Sequence, residues 1–402
     1  MVTSYKKRED SGGRFNVREL TIAMTCAVFI GFLAFNGAMA AEKPLIEKWL
    51  DGEIKANYPK VTYDGAPITL KYSDFLAPNH VMAQLRNRTF DRLEQDTNGK
   101  LMVRRFWGNT LSNAQRGAFE AISAGVADFG ACYVTFNPGG FTLHLGLQVP
   151  FIFQDVKESS YASIEAYPKY LKEEYESKGV YLGCLHTTPP QQLLTRDKPI
   201  QTLGDLKGKK IFTSAGLGSE FGKALGAVPT IIQVSELYTA YQRGVVDVVP
   251  FHDAGAVAFR FAELSKYRTV ANSWTNATEF AVNKAAFDKL PADLKQVFYH
   301  WYQLSSQAQI ELYYDLEAQK GRVTMEKMGI KSIPLPPQEV SKWRAAVKPV
   351  VDEWISSNEA KGLPAKAFVA DLEAMALKYR DKNFEEITRA LLEKPIPGII
   401  KF

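Results

Sequence analysis

From Asp293 to Lys327 the chain runs without a proline, and Leu294, Val297, Phe298, Trp301, Leu304, Ala308, Leu312 and Leu316 recur at helical spacing. Pro291 suits the first turn. At about 1.5 Å per residue such a helix is on the order of 50 Å long, more than one small core can cover. A coiled coil is the competing reading, but the heptads are irregular and Ser305 and Ser306 interrupt the seam. The stretch is therefore expected to pack along a two-lobed body.

The remaining pattern supplies the lobes. Ile68 to Ser73 reads as a strand, and a helix with Met82, Leu85 and Leu93 on its apolar face follows it. Asn98-Gly99 turns the chain into a strand from Leu101 to Trp107. A helix from about Asn113 to Ala124 should stop at Gly125, and Asp128 to Val134 returns as a strand. A second set begins near residue 190, with strands at 210–213, 230–232 and 245–249. Its helices end at Leu225 and Arg243, and Ser235 is expected to cap the second of them. Strand and helix alternate in both sets, so the fold class is α/β with largely parallel sheets. With 402 residues, two domains are expected. The 46% hydrophobic content excludes disorder, and the formal charge of +5 comes without the basic blocks that follow a phosphate backbone, so nucleic acid is not an expected partner.

The amino terminus carries a processing signal. Lys6, Lys7, Arg8, Arg14 and Arg18 precede an apolar run from Leu20 to Phe35, and Ala38-Met39-Ala40 ends it. This is an export signal, with cleavage expected between Ala40 and Ala41; an uncleaved anchor is the alternative, for which the run is slightly short. Losing residues 1–40 removes five basic and three acidic residues, leaving 44 against 41, a charge of +3. Cys26 goes with them. Cys132 and Cys184 remain, at no zinc or redox spacing; two buried thiols are expected, although an oxidising compartment permits one bridge.

Several segments in order carry a family resemblance. They are Pro199-Ile-Gln-Thr-Leu-Gly-Asp-Leu-Lys-Gly-Lys-Lys-Ile211, Leu225-Gly-Ala-Val-Pro-Thr230 and Ser235-Glu-Leu-Tyr-Thr-Ala-Tyr-Gln-Arg-Gly-Val-Val-Asp247. Thr97 to Lys100, Ala121 to Asp128 and Val149 to Phe153 support them. From about Ile68 to Ala346 the chain resembles the solute-binding proteins of tripartite ATP-independent periplasmic (TRAP) transporters, the dicarboxylate-binding-protein-like family. The resemblance implies a two-lobed periplasmic-binding-protein fold with hinge strands and a long interlobe helix. It also implies capture of a small organic molecule between the lobes, delivery to membrane permease subunits of a TRAP transporter, a periplasmic location and no catalysis. On this reading residues 41–66 are an extension, 67–188 with 278–318 form lobe I, 189–277 with 319–385 form lobe II, and 386–402 are a tail.

One departure from the family pattern bears on the ligand. The resemblance implies an arginine just after the Lys-Gly-x-Lys-Ile segment, where its fork grips a ligand carboxylate. Phe212 stands there. A second family arginine falls about where Pro189 to Gln192 stand, and the positions that match a metal ligand or amide are Pro250 and Phe251, so no metal or cofactor is expected. A simple dicarboxylate is accordingly not the leading ligand. Phe212, Phe251, His252, Tyr133 and Trp274 instead suggest an aromatic wall suited to a ring, an apolar acid or a cation. The competing reading packs Phe212 and Phe251 inside a lobe. Asn79 and His80 follow the first strand, at the end where α/β folds place ligands, and Gln192 lies in the stretch that matches the second arginine. Thr213, with Ser214 and the amides after it, precedes a helix and could hold an anion.

Other chemistries find little support. Gly216-Leu-Gly-Ser-Glu-Phe-Gly222 has the wrong spacing for a dinucleotide turn, and the five histidines are scattered. An exported two-lobed ligand sensor or an enzyme using the same cleft is the alternative function.

Overall fold

Among the described residues eleven strands form two sheets, and one strand in each sheet runs against all the others. The computed structural model describes residues 42–113, 117–136 and 138–402. The export segment and its cleavage site lie outside them.

The first sheet is ordered β2 (Leu101–Phe106), β1 (Ile68–Ser73), β3 (Phe129–Ala131), β10 (Ala277–Asn283), β4 (Val180–Thr187). β1 pairs parallel to β2 and β3, whereas β10 pairs antiparallel to both β3 and β4. The second sheet is ordered β11 (Lys331–Pro334), β9 (Tyr267–Val270), β5 (Gln192–Thr195), β8 (Val248–Phe251), β6 (Lys210–Thr213), β7 (Val228–Ile231). There β5 is the strand that opposes its neighbours. The sheets are thus mixed rather than simply parallel. The reason lies in the connections: β5 and β10 are the strands by which the chain enters one sheet from the other.

The two crossings lie side by side. Residues 188–191 join β4 to β5, residues 271–276 join β9 to β10, and they exchange hydrogen bonds at Thr188 N to Asn276 O (2.8 Å), Gln191 N to Trp274 O (3.0 Å) and Ser273 N to Gln191 O (3.1 Å). A hinge needs only a few residues at the ends of elements to absorb large φ and ψ changes, and two short connections lying side by side suit that. The third crossing is the expected long helix. It runs Ala292–Ala308 as α-helix, Gln309–Glu317 as π-helix and Ala318–Lys327 as α-helix again.

Each lobe has its own core. Trp301, Phe298, Phe129 and Phe90 anchor the first. β4 is buried at every residue although it lies at a sheet edge, because the helices Val156–Tyr170 and Ala292–Ala308 cover it. Gly183 permits that cover, since a β-carbon there would run into the Tyr302 ring. The second lobe packs Leu193, Ile211, Phe221, Val248 and Trp343 around one side of its sheet and Leu237, Tyr241, Val249 and Phe261 around the other.

Local differences from expectation have local causes. Ser235 lies inside the helix Val234–Gln242, whose cap is Gln233 without a side-chain bond. The strand expected at 245–249 is Val248–Phe251, because Gly244 and Val245 still fold back onto the helix at Tyr241 O and Ala240 O. Asp247 instead accepts from Lys210 N (2.9 Å) and ties β6 to the strand start. The strand expected at 128–134 is shortened to three residues and followed by a 3₁₀ turn, Val134–Phe136. Residues 319–385, expected together in lobe II, divide: β11 and the helix Pro337–Glu359 pack there, while Ala365–Arg380 lies against Val156–Tyr170 of lobe I. The expected tail begins within a helix, Phe384–Glu393, whose Thr388 bonds Gln307 (2.8 Å) and Glu311 (3.2 Å) of the long helix. Cys132 and Cys184 are buried free thiols.

Candidate ligand cleft

The ends of β1, β3, β6 and β8, the hinge strands and the π-helical segment meet at one cavity enclosing about 640 Å³, part of it open to solvent. The carboxyl ends of strands are where α/β sheets form small-molecule sites. Lobe I contributes Phe75, His80, Arg86, Tyr133 and Phe136; lobe II contributes Val234, Phe212, Phe251, His252 and Phe259. Tyr313 and Tyr314 come from the long helix, Thr188, Gln191 and Asn276 from the hinge, and Thr278 from the start of β10.

Most of this wall is aromatic. Phe75 meets Tyr133 edge-on with centroids 5.2 Å apart and stacks on Phe259 of the other lobe at 6.4 Å. Phe136 and Phe212 face each other across the lobes at 6.5 Å, and His80 lies 4.7 Å from Phe259. Rings at these separations are in the range of favourable aromatic contact. Tyr133 holds a φ of +37°, a conformation that costs a residue with a β-carbon and is tolerated where the surroundings fix it.

The polar groups are few and constrained. Arg86 is buried, and its Nε donates to Gln309 Oε1 (2.8 Å) while Nη1 donates to Tyr72 OH (3.4 Å) and to the Asp74 carboxylate. Its guanidinium carbon sits 4.2 Å from the centroid of the Phe280 ring. Asp74 in turn accepts from Tyr72 OH (2.5 Å) and Leu76 N (3.2 Å). A buried charge needs such pairing, and here it has both a counter-ion and neutral partners. Arg86 and Asp74 cancel, so the cavity holds a cationic surface within a neutral pair.

His80 and His252 form a second matched feature. Each is the N-cap of a helix: His80 Nδ1 accepts from Met82 N (3.1 Å) at the start of Val81–Asp96, and His252 Nδ1 accepts from Gly255 N (3.1 Å) at the start of Asp253–Ala258. An Nδ1 that accepts a backbone N–H places the ring proton on Nε2. Burial, then the nearby Arg86 charge, lowers His80 to about 4; burial, then His80, lowers His252 to about 3. Both rings are therefore neutral Nε2–H donors at neutral pH. The His80 Nε2 has no hydrogen-bond partner among the described residues.

Neighbouring groups lock His252. Asp253 makes a two-pronged pair with Arg268 (2.6 and 2.7 Å). Gly321 of the long helix lies so close that a β-carbon there would stand 2.8 Å from the Asp253 carbonyl oxygen. Gly255 has no room for a side chain beside the Phe251 ring.

Five of the nine expected site residues line the cavity: His80, Tyr133, Phe212, Phe251 and His252. The other four do not. Asn79 is exposed on the loop before the helix. Gln192 is buried as a hinge brace, donating to Asn272 Oδ1 (2.7 Å) and accepting from Ala271 N (2.9 Å), while its neighbour Gln191 faces the cavity, as alternation along an extended chain requires. Trp274 belongs to the lobe II core. Thr213 is buried beside Ser214, whose hydroxyl takes a hydrogen bond from Gln148 Nε2 (2.8 Å), so that turn is filled by protein.

Sequence reasoning missed Arg86, Phe75, Phe136, Phe259, Tyr313 and Tyr314. A signal existed for Arg86: it stands four residues from both Met82 and Phe90, a charge in the middle of an apolar face. The tyrosines were hidden by the π-helix. Its i to i+5 pattern rotates the buried face, so Tyr313 and Tyr314 are buried where 3.6-residue spacing points to Leu312 and Leu316.

Comparison with known proteins agrees with this architecture. The DctP family model, "Bacterial extracellular solute-binding protein, family 7", matches residues 72–358. The C4-dicarboxylate-binding periplasmic protein of Rhodobacter capsulatus is 28% identical over 232 residues, 57% of this chain and 69% of that protein. A TRAP periplasmic solute-binding protein from Desulfovibrio salexigens superposes with a TM-score of 0.69 at 25% identity, over 79% of this chain and 98% of that one. One from Rhodoferax ferrireducens, with copurified benzoate, gives 0.72 at 19% identity, over 78% and 98%.

Proposed function

This chain belongs to the bacterial extracellular solute-binding proteins of family 7, and from that membership we propose that it is a TRAP-type solute receptor for a small organic acid with an aromatic or apolar body. It takes the acid into the cleft, the lobes close on it, and permease subunits in the membrane receive it from the closed form. The ligand leaves unaltered. Residues 67–188 with 278–318 act as one lobe and 189–277 with 319–359 as the other; export removes the chain before Ala41.

One observation supports the choice of ligand: rings from both lobes and from the long helix close around a single cavity in which Arg86, already paired with Asp74, is the one charged lining residue among those described. Aromatic walls favour a ring over the chain of a C4 dicarboxylate. Two carboxylates would bring two charges into a site with one cation that is partly neutralised. The benzoate in the Rhodoferax protein illustrates that this fold accommodates a ring-bearing acid.

Isothermal titration of the mature protein against benzoate, 3-hydroxybenzoate, mandelate, succinate and malate tests the reading. Micromolar or tighter binding of at least one aromatic acid, with the dicarboxylates at least about tenfold weaker, is expected. Tighter binding of succinate or malate contradicts it, as does conversion of any ligand to product.

A further inference from the structure

We infer that the ligand's carboxylate is received by lobe I, at Arg86, Tyr133 and His80, and that its ring points to Phe212 and Phe251 of lobe II. This rests on the proposed function and adds a polarity to it: the acid lies across the cleft with its charge on the lobe I side.

The distribution of groups along the wall sets the direction. The lobe II lining offers Phe212, Val234, Phe251 and Phe259 with neutral His252, and no lysine or arginine among the described residues. A carboxylate placed there would lose water and gain no charge. Lobe I has the cation. The Arg86 guanidinium is held by Gln309, Tyr72 and Asp74 and is also bonded to Tyr133, which fixes its plane beside that phenol. Asp74 is fully buried behind it, in the position of a group that orients the arginine.

His80 adds a donor of fixed direction. Its Nδ1 is tied to Met82 N, so the ring can only present Nε2–H, and that buried atom is without a protein partner. A buried donor left unsatisfied costs free energy, which a ligand oxygen would recover. Tyr133 stands with Arg86 on the same wall. Together they offer N–H and O–H donors to two carboxylate oxygens, with charge supplied by one of the three.

The usual fork on lobe II is therefore moved rather than lost, and Phe212 occupies the ring end. That orientation predicts a specific response to a charge at the ring end. Phe212→Arg should not strengthen benzoate, whose carboxylate already sits on the other lobe. It should strengthen terephthalate, whose second carboxylate would meet the new arginine, by about tenfold or more relative to the unaltered protein.

The test combines variants with a measurement that needs none. In the unaltered protein, intermolecular NOEs from the benzoate para proton should reach Phe212 and Phe251 rings and not the Val81–Asp96 helix. His80→Asn keeps a side-chain oxygen to cap the helix and removes the Nε2–H, so benzoate affinity should fall at least about tenfold with the unfolding midpoint unchanged. Removing Arg86 alone would strand the Asp74 charge, so the pair is replaced together as Asp74→Asn with Arg86→Gln, and a folded double variant should lose benzoate binding. NOEs from the para proton to the Val81–Asp96 helix, or tighter benzoate binding by Phe212→Arg, overturn the inference. So does a His80→Asn protein that binds benzoate as before. If the unaltered protein binds no aromatic acid at all, the proposed function fails and takes this inference with it; the other outcomes leave the receptor reading intact.

Discussion

His80 shows how one ring can serve the fold and the cleft at once. Its Nδ1 closes a helix while its ring lines the cavity with Nε2 left without a protein partner, and the cap requires a neutral imidazole. The sign of the pH dependence follows. With its folded pKa at about 4 and an unfolded value near 6.5, the unfolded chain takes up the proton first as pH falls. Stability from His80 is thus fully present above about pH 6.5 and is lost as pH drops toward 4; His252, at about 3, adds to the loss in the same direction. Denaturant midpoints measured from pH 7.5 to 4.5 should decline, and the decline should be shallower in the variant with both histidines replaced by asparagine. Arg86 gives the sharpest residue-level prediction on stability. Arg86→Gln alone leaves the buried Asp74 carboxylate unpaired and should cost about 3–5 kcal/mol of unfolding free energy by chemical denaturation, much of it recovered by adding Asp74→Asn. At this scale the sequence was readable where a residue type announced itself, as with Phe212 and His252. It was unreadable where one step along an extended chain decides which face a side chain takes, as at Gln191 and Gln192.

The long helix carries most of the information at the scale of elements. Its existence and ends follow from apolar spacing and Pro291, but its π-helical middle does not, because nothing in a 3.6-residue period signals a turn with an extra residue. That middle brings Tyr313 and Tyr314 to the cleft and Glu311 to a buried site with Gln307 and Thr388. Burial raises Glu311 to about 7. A raised carboxyl contributes stability that is complete below its unfolded pKa of about 4.5 and is lost as pH rises through about 7. Glu311→Gln, neutral at every pH, should therefore unfold at higher denaturant than the parent at pH 8, by on the order of 1–3 kcal/mol, with the difference shrinking toward pH 5. Further along, in the α-helix Ala318–Lys327, Gly321→Ala would push a methyl group against the Asp253 carbonyl oxygen. Overpacking there should cost about 1–3 kcal/mol and weaken ligand binding through the displaced His252, which titration and thermal unfolding on the same preparation would register.

Across the whole molecule, the two strand–helix sets and the long helix were legible as two α/β bodies joined by one element. The order of the strands was not, because mixed sheets arise from where the chain crosses, and crossing is a property of pairs of segments far apart in sequence. Residues 188–191 and 271–276 become a hinge only because they lie beside each other. The division of 319–385 between the lobes was hidden for the same reason: both of its long helices are amphipathic, and only packing shows which lobe each one covers. A receptor built this way should become more compact when loaded. Small-angle scattering with saturating benzoate should show a smaller radius of gyration than the ligand-free protein.

The receptor reading itself is tested most directly by native mass spectrometry of the mature protein as isolated, followed by denaturation and identification of what is released. The prediction is one molecule per chain of an acid with a single carboxylate and an aromatic or apolar body, unaltered after incubation with the protein. Release of a C4 dicarboxylate, or of a chemically changed ligand, would contradict it.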